Sequence, residues 1–452
     1  GPGVHTIIQS GGVGSDLFVA KYNDSGVLLW AFPLGNFGYD RADGIEVNDS
    51  QVCIIGTANS PLGFDLDPGP GDTHIYPGYV DVFLARYDLD GNFISGFSVG
   101  SIEVDYGTDV ELYPNGDVVL SGYYRSSDFD ADPGSGIVLL PPLVQITDAF
   151  ILKYNAGNEL LLAKGFGGDS GDQLKALHHA ANGDLLVIGH FASTEVDVDA
   201  GPDTVLLGTA GGNDILVQRY SPDGTMQWAR SIGGTSSDIG YGVATDSNGD
   251  VYLCGYTSSD TVDLDPGPGI EVFTGNGPDI VVVKLSADGD YIWGMRIGGG
   301  ANDSGNAIAI DSQDHLFVAG AFGDVNVDFD PGPGTAELSS SSAAETDLFI
   351  AQFNADGTFV DAFDVGGAGM DAISNMACTT SGRLWVTGRK TGAIEADPGS
   401  GVAMLDSIAT IDLLVAAYDH YHPVAIEETE QPQLTLQPNP TRRAIMSFLM
   451  RL

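Results

Sequence analysis

The chain has 452 residues, of which 17 are Lys or Arg and 62 are Asp or Glu, and its formal net charge is −45. This charge excludes nucleic acids and anionic membrane surfaces as favourable partners. No apolar run reaches the roughly 18 to 20 residues of a membrane span. The 63 glycines and the many aspartates favour turns over helices, so we expect a turn-rich fold.

One phrase of seven residues recurs along the chain with a spacing of 65 to 68 residues. Apolar residues occupy both alternating sets of positions in it, which indicates a β-strand that is covered on both faces. The copies read DLFVAKY from Asp16, DVFLARY from Asp81, DAFILKY from Asp148, DILVQRY from Asp214, DIVVVKL from Asp279, DLFIAQF from Asp347 and DLLVAAY from Asp412.

Three further strand-like stretches follow most copies of the phrase and are separated by turns rich in Asn, Asp and Gly. The first contains Trp30, Trp228 or Trp293, the second reads I-A-x-D and the third reads V-x-x-x-G. Four short strands in each repeat predict antiparallel hairpins and an all-β fold. We expect complete units at residues 40–100, 105–166, 172–233, 238–298 and 303–366, with partial units at both ends. The helix-like stretch at 174–181 is predicted to be a strand by its register.

Together with a recurrent D-P-G-P-G loop, these motifs resemble the seven-bladed β-propeller repeat family of bacterial cell-surface proteins. The resemblance covers residues 1 to about 418 and implies a β-propeller of four-stranded blades, each about 66 residues long. The numbers of the four strand types leave six or seven blades open. We expect the repeat array to span residues 1–420 and the three recurrent tryptophans to pack between blades.

The repeat stops after Tyr418, and residues 421–432 have the composition of a linker. The segment LTLQPNPT, from Leu434, resembles the start of the C-terminal sorting domain of type IX secretion. Only 12 residues follow Pro440, so we expect residues 433–452 to be a truncated sorting tail and the chain to be cut at both ends. The resemblance implies the type IX machinery as a partner and a location outside a Gram-negative cell, secreted or on its surface.

The loop before each recurrent phrase carries two acidic residues that are two positions apart. Such carboxylates project to the same side of an extended segment, and carbonyls of the following Pro and Gly residues could complete a Ca²⁺ shell. The alternative is that these side chains only cap turns. The predicted calcium ligands are Asp65, Asp67, Asp130, Asp132, Asp197, Asp199, Asp263, Asp265, Asp328, Asp330, Glu395 and Asp397.

One asymmetric polar set stands at equivalent positions of three consecutive repeats, namely Glu46, Glu111 and His178. These side chains could hold a metal or a sugar, or they could simply line a hydrated channel. Motifs such as G-x-S-x-G and H-E-x-x-H are absent from the sequence, so we predict that the protein is not an enzyme. The expected function is a binding or adhesion scaffold for an extracellular protein or glycan. The alternatives are a polysaccharide-cleaving enzyme that uses the polar set and a rigid spacer without a ligand.

Overall fold

The computed structural model describes residues 5–8, 14–23, 27–35, 38–60, 62–141, 146–199, 201, 203–341, 345–379, 382–397, 404–406, 412–419 and 434–437. All regular elements of these residues are β-strands, as the sequence predicts. None of the described residues belongs to a helix long and apolar enough to cross a membrane. The structure divides into two compact units, which are described separately. Unit 1 contains Gly1–Gly165 and Ile426–Arg451, and unit 2 contains Phe166–Ala425.

The first fifteen strands of the chain belong to unit 1. They are β1 (His5–Ile8), β2 (Gly14–Ser15), β3 (Leu17–Tyr22), β4 (Leu28–Leu34), β5 (Gly38–Tyr39), β6 (Arg41–Val47), β7 (Gln51–Ala58), β8 (Phe64–Asp65), β9 (His74–Ile75), β10 (Asp81–Asp88), β11 (Phe93–Val99), β12 (Tyr106–Leu112), β13 (Val118–Tyr124), β14 (Asp148–Tyr154) and β15 (Leu160–Phe166).

The next twenty-three strands belong to unit 2, and one more strand lies near the C-terminus. They are β16 (Asp172–His179), β17 (Leu185–Phe191), β18 (Val196–Asp197), β19 (Leu206–Leu207), β20 (Asp214–Tyr220), β21 (Met226–Gly234), β22 (Asp238–Thr245), β23 (Val251–Thr257), β24 (Thr261–Asp263), β25 (Val272–Thr274), β26 (Asp279–Leu285), β27 (Tyr291–Ile297), β28 (Ser304–Ile310), β29 (Leu316–Phe322), β30 (Val327–Asp328), β31 (Glu337–Leu338), β32 (Asp347–Phe353), β33 (Phe359–Gly367), β34 (Ala372–Cys378), β35 (Arg383–Lys390), β36 (Ile394–Glu395), β37 (Met404–Leu405), β38 (Asp412–Asp419) and β39 (Leu434–Gln437).

Five sets of four strands form antiparallel blades. Blades 1 and 2 lie in unit 1 and consist of β6-β7-β10-β11 and β12-β13-β14-β15. Blades 3, 4 and 5 lie in unit 2 and begin with β16, β22 and β28. Strands β3-β4 and β34-β35-β38 form a two-stranded and a three-stranded partial blade. The expected boundaries of the five blades are therefore confirmed, and the helix-like stretch at 174–181 contributes to β16.

Within each unit the blades pack face to face, and their first strands are neighbours. Strand β6 lies beside β12 in unit 1, while β16, β22, β28 and β34 follow one another in unit 2. Apolar side chains of both faces fill the space between blades, for example Ile188 and Val217 of blade 3 against Val243 and Val281 of blade 4. This is the packing of a β-propeller, in which sheets cover one another without helices.

The recurrent tryptophans pack between blades, as expected. Each indole N–H donates to a backbone carbonyl oxygen. Trp30 donates to Leu89 at 3.2 Å, Trp228 donates to Ala287 at 2.9 Å, and Trp293 donates to Ala355 at 3.1 Å. Each acceptor lies in the turn before the last strand of the next blade. Neighbouring blades are thus joined by a directional bond in addition to apolar contact.

The predicted tail is described in part. Strand β39 pairs in parallel with β1, with Leu434 opposite His5 and Gln437 opposite Ile8. The linker at residues 421–432 and the tail residues 433 and 438–452 lie outside the described residues, so the sorting tail stays a prediction.

Buried aspartates fasten the ends of the strands. Asp105 precedes the first strand of blade 2, where Oδ1 accepts the Arg125 N–H at 3.1 Å and Oδ2 accepts the Ser101 hydroxyl at 2.7 Å. In blade 5, Asp303 accepts the N–H groups of Gly323 at 2.8 Å and Gly299 at 3.0 Å. Burial raises the pKa of both carboxyls to about 6. Burial also raises the pKa values of Asp81, Asp214 and Asp371 to about 6.

These pKa values predict that the protein becomes more stable in mild acid. A carboxyl whose folded pKa lies above its unfolded value near 3.9 contributes stability that is complete below that value and is lost as the pH rises through 6. We expect the melting temperature to rise between about pH 7.5 and about pH 5. An unchanged or falling melting temperature would contradict the assignment. Asp105→Asn is the matched variant, because an amide can donate to the Ser101 hydroxyl but carries no titrating group. The melting temperature of this variant should depend less on pH than that of the unaltered protein.

Candidate functional site

The first strand of each blade carries a β-bulge at the same position. In blade 4, Gly240 pairs with Gly255 and Gly242 pairs with Cys254, so Tyr241 has no partner residue across the ladder. The same one-residue shift occurs in all six first strands, including that of the three-stranded partial blade. The inserted residues, called the bulge residues below, are Asp43, Thr108, Lys175, Tyr241, Asn306 and Ser374.

Each bulge requires a glycine on the neighbouring second strand. A Cβ atom on Gly255 would lie 2.0 Å from the backbone oxygen of Ile239, because the bulge pushes that carbonyl towards the second strand. At all six positions the corresponding distance is 1.9 to 2.2 Å. These residues are Gly56, Gly122, Gly189, Gly255, Gly320 and Gly388. They are the glycines of the V-x-x-x-G motif, which was therefore the sequence signal of the bulge.

A bulge turns its extra side chain away from the regular alternation of the strand, and bulges often lie next to functional sites. All six bulge residues are partly or fully exposed to solvent. Their chemistry differs from blade to blade: one carboxylate, one ammonium group, one phenol, one amide and two hydroxyls. The backbone thus repeats while the exposed chemistry does not.

In unit 1 the bulge residue Asp43 lies in a cluster of charged and aromatic groups. The Arg41 guanidinium donates to Asp43 at 2.6 Å and lies 5.6 Å from the centre of the Tyr106 ring. The Tyr106 ring is 5.0 Å from the ring of Tyr123 on the neighbouring strand. Burial raises the pKa of Tyr123 to about 12, so its hydroxyl stays protonated and can donate a hydrogen bond.

Three bulge residues of unit 2 make side-chain contacts of different kinds. Lys175 donates to Gln173 Oε1 at 2.9 Å, and Asn306 Oδ1 accepts the Ser304 hydroxyl at 2.8 Å. The ring of Tyr241 lies 6.0 Å from that of Tyr256. Burial, with a smaller effect of the Lys175 charge, lowers the pKa of His190 to about 3, so this imidazole is neutral at physiological pH. Such polar groups and aromatic faces can bind sugar rings or protein side chains.

The polar set predicted from the sequence occupies equivalent ladder positions. Glu46 pairs with Cys53, Glu111 with Val119 and His178 with Leu186. Glu111 is only 4% exposed. His178 Nε2 is hydrogen-bonded to the Thr245 hydroxyl of the next blade at 2.9 Å, a contact between blades. A ligand-binding role for the three residues stays a prediction.

The acidic loops are held by their own carboxylates. Asp65 Oδ1 accepts the N–H groups of Asp67 at 3.0 Å and Thr73 at 2.9 Å, and Asp67 Oδ1 accepts that of Gly69 at 2.8 Å. Four other loops repeat this pattern at Asp130/Asp132, Asp197/Asp199, Asp263/Asp265 and Asp328/Asp330, and in the sixth loop Glu395 Oε1 accepts the Asp397 N–H at 3.0 Å. Turn capping is therefore present, and calcium binding stays a prediction.

The glycine opposite each bulge provides a direct test of the site's construction. We expect Gly255→Ala to destabilise the protein by roughly 1 to 3 kcal/mol, because its Cβ would overlap the Ile239 carbonyl. Gly300→Ala is the control, since no atom lies within 4 Å of that Cβ position. The midpoint of unfolding in urea measures both effects. Equal midpoints for the two variants would show that the bulge does not require glycine.

Comparisons with known proteins agree with the propeller architecture. Residues 227–260, which run from within β21 to the residue before β24, match the family model described as a beta-propeller repeat. An uncharacterised WD repeat-containing protein of Acanthamoeba polyphaga mimivirus is 20% identical over 87% of this chain and 33% of its own length. The regulatory protein FlaEY of Caulobacter vibrioides is 28% identical over 24% of this chain and 12% of its own length. The chain thus spans about a third or less of the length of these relatives.

A solved structure was also found, of a protein of unknown function from Bacteroides caccae. It is 11% identical, the match covers 77% of this chain and 94% of that chain, and the TM-score is 0.35. Residues 227–260 thus match a beta-propeller repeat, and the structure shows repeated four-stranded blades.

Proposed function

We propose that this protein is an interaction scaffold that binds an extracellular protein or glycan through the bulge residues of its blades. The observation that carries the proposal is the bulge itself, because six first strands keep one backbone distortion while the residue in it changes. The glycine opposite each bulge fixes the backbone, so the bulge side chain can be a carboxylate in one blade and an ammonium group or a phenol in others and is available for binding. Within each unit, varied side chains on a constant framework suit recognition of a particular ligand surface.

Protein and glycan ligands fit the side chains at these positions. Tyr241 with Tyr256 and Tyr106 with Tyr123 offer aromatic faces, and sugars and apolar side chains pack on such faces. Lys175, Asn306 and Thr108 offer donors and acceptors at the bulge positions of other blades. The net charge of −45 favours a neutral or basic ligand over an anionic polymer.

We propose a location outside the cell, reached by type IX secretion. The support is the resemblance of the segment from Leu434 to a sorting domain and of the repeats to cell-surface proteins. The proposed role needs no catalysis, and we propose that the chain turns over no substrate.

We also propose a structural role for Ca²⁺ in the acidic loops. The hydrogen bonds of Asp130 use one carboxylate oxygen, Oδ1, so the second oxygen of Asp130 can serve a cation. Divalent ions would also reduce the repulsion within a strongly acidic chain.

A calcium role predicts a reversible effect of chelation. We expect the melting temperature to be several degrees lower in excess EGTA than in millimolar Ca²⁺, because an ion that binds only the folded state stabilises it. Identical melting curves in the two solutions would mean that turn capping alone holds the loops.

The binding proposal is tested on a glycan and protein array probed with the purified chain, followed by titration of any ligand found. We expect Tyr241→Ser and Lys175→Ser to weaken binding at least about tenfold, the loss of roughly one good contact. Serine should be tolerated at both positions, because Ser374 is the bulge residue of the three-stranded partial blade. Chromatography of the incubated ligand should show no cleavage products.

The matched controls are Gln227→Ser and Ile292→Ser. In the last strands of blades 3 and 4 the ladder also shifts by one residue, which leaves Gln227 and Ile292 without a partner across the ladder. Both side chains are exposed. Both controls should bind the ligand normally. Binding that is lost in the controls and kept in Tyr241→Ser and Lys175→Ser would place the ligand elsewhere and refute the proposal.

A further inference from the structure

The hairpin between the second and third strands of blade 1 gathers three potential metal ligands. Asp65, Asp72 and His74 each offer a ligand atom, and these atoms all lie within 4.8 Å of one another. His74 Nδ1 is 2.5 Å from Asp72 Oδ1. No other group of three such side chains was found among the described residues.

The register of the hairpin brings these side chains to one side. Asp65 on β8 is directly opposite His74 on β9, and the adjacent pair is Phe64 with Ile75. Phe64 and Ile75 are buried in the core, so the alternation of the strands turns Asp65 and His74 outward together. Asp72 lies two residues before His74 and reaches the same side.

The supporting residues hold two of these groups in place. Two backbone N–H groups fix Asp65 through Oδ1, which directs Oδ2 to a ligand. The His74 ring stacks with Tyr76 at 6.2 Å, and both rings lie against Gly63. A Cβ on Gly63 would be 2.8 Å from the His74 ring and 2.9 Å from the Tyr76 ring, so glycine creates the space for them.

The other loops provide an internal comparison, because they share the acidic pair but have neither an imidazole opposite it nor a carboxylate at the position of Asp72. The residues opposite the first acidic residue are Leu139, Leu206, Val272, Glu337 and Met404, in place of His74. The position of Asp72 is occupied in the other loops by Ile137, Thr204, Ile270, Thr335 and Val402. The position of Gly63 is occupied by Asp128, Glu195, Thr261, Asn326 and Ala393. Blade 1 thus departs from the repeat at three positions, which together make one imidazole–carboxylate cluster.

We propose that Asp65, Asp72 and His74 bind one transition-metal ion, with Zn²⁺ as the best match. An imidazole with two carboxylates suits Zn²⁺, whereas Ca²⁺ prefers oxygen ligands alone. Ligand atoms around tetrahedral Zn²⁺ lie about 3.4 Å apart, given bonds of about 2.0 to 2.2 Å. Asp72 and His74 would separate by about 1 Å to admit the ion, which their exposure of 83% and 28% permits. Water would complete the coordination shell.

The experiment is a calorimetric titration of the full chain with Zn²⁺ in the presence of millimolar Ca²⁺, which fills the other five acidic loops. At Asp65 the imidazole of His74 makes Zn²⁺ the preferred ion, so Zn²⁺ should bind there despite the calcium. We expect one equivalent to bind the unaltered protein. His74→Leu and Asp72→Thr, which copy Leu206 and Thr204 of blade 3, should weaken this binding more than about tenfold, since the loss of even an outer-shell partner costs that much. Co²⁺ in place of Zn²⁺ should give the visible absorption of a site with a nitrogen ligand, and His74→Leu should abolish it.

Two further variants keep the result interpretable. Asp65→Asn retains the Oδ1 acceptor of the turn and removes the negative ligand, so it should lose binding without loss of the fold. His315→Leu is the control, because His315 pairs with Asp311 at 2.9 Å without a third ligand, and it should bind Zn²⁺ normally. Zn²⁺ heats equal to those of buffer, or equal binding by the unaltered protein, His74→Leu and Asp65→Asn, would overturn the proposal. Circular dichroism spectra verify that each variant is folded.

Discussion

The contact between a first-strand carbonyl and a second-strand glycine is the constraint on which the candidate site depends. In all six copies the carbonyl occupies the place of a Cβ atom, as with Ile239 and Gly255. Only glycine allows this approach, and the approach allows the bulge. Once the backbone is set by glycine, the bulge residue itself contributes little to the ladder. It can therefore vary, and Asp43, Lys175 and Tyr241 show how far it does.

The stability of the blades comes from other positions. Buried aspartates such as Asp105 tie strand ends to neighbouring turns. Arg86 of blade 1, which is fully buried, donates to the carbonyl oxygens of Gly116 and Asn155 in two turns of blade 2. Trp228 joins two blades in unit 2. Because folding depends on strand ends, turns and contacts between blades, the exposed residues of the first strands are available for the proposed binding role. The cluster of Asp65, Asp72 and His74 is different, because among the described residues it was found in blade 1 alone.

Much of the fold could be predicted from the sequence because it repeats. The period gave the five complete blades, the recurrent tryptophans indicated blade packing, and register decided that residues 174–181 form a strand. The bulges could not be predicted in this way, since alternation with period two does not reveal one extra residue whose identity changes in every copy. The repeated glycine of V-x-x-x-G was visible, but its meaning depends on a carbonyl from another strand. The cluster of Asp65, Asp72 and His74 depends likewise on the cross-strand register of a short hairpin.

The most direct measurement of the central claim is a high-resolution crystal structure of the full chain, examined at the first strand of blade 4. The account predicts that Gly240 and Gly242 pair with consecutive residues, Gly255 and Cys254, and that the Tyr241 side chain is accessible to solvent. The Ile239 carbonyl should also contact the Gly255 Cα. A regular ladder with Tyr241 paired across the strands and buried would contradict the account.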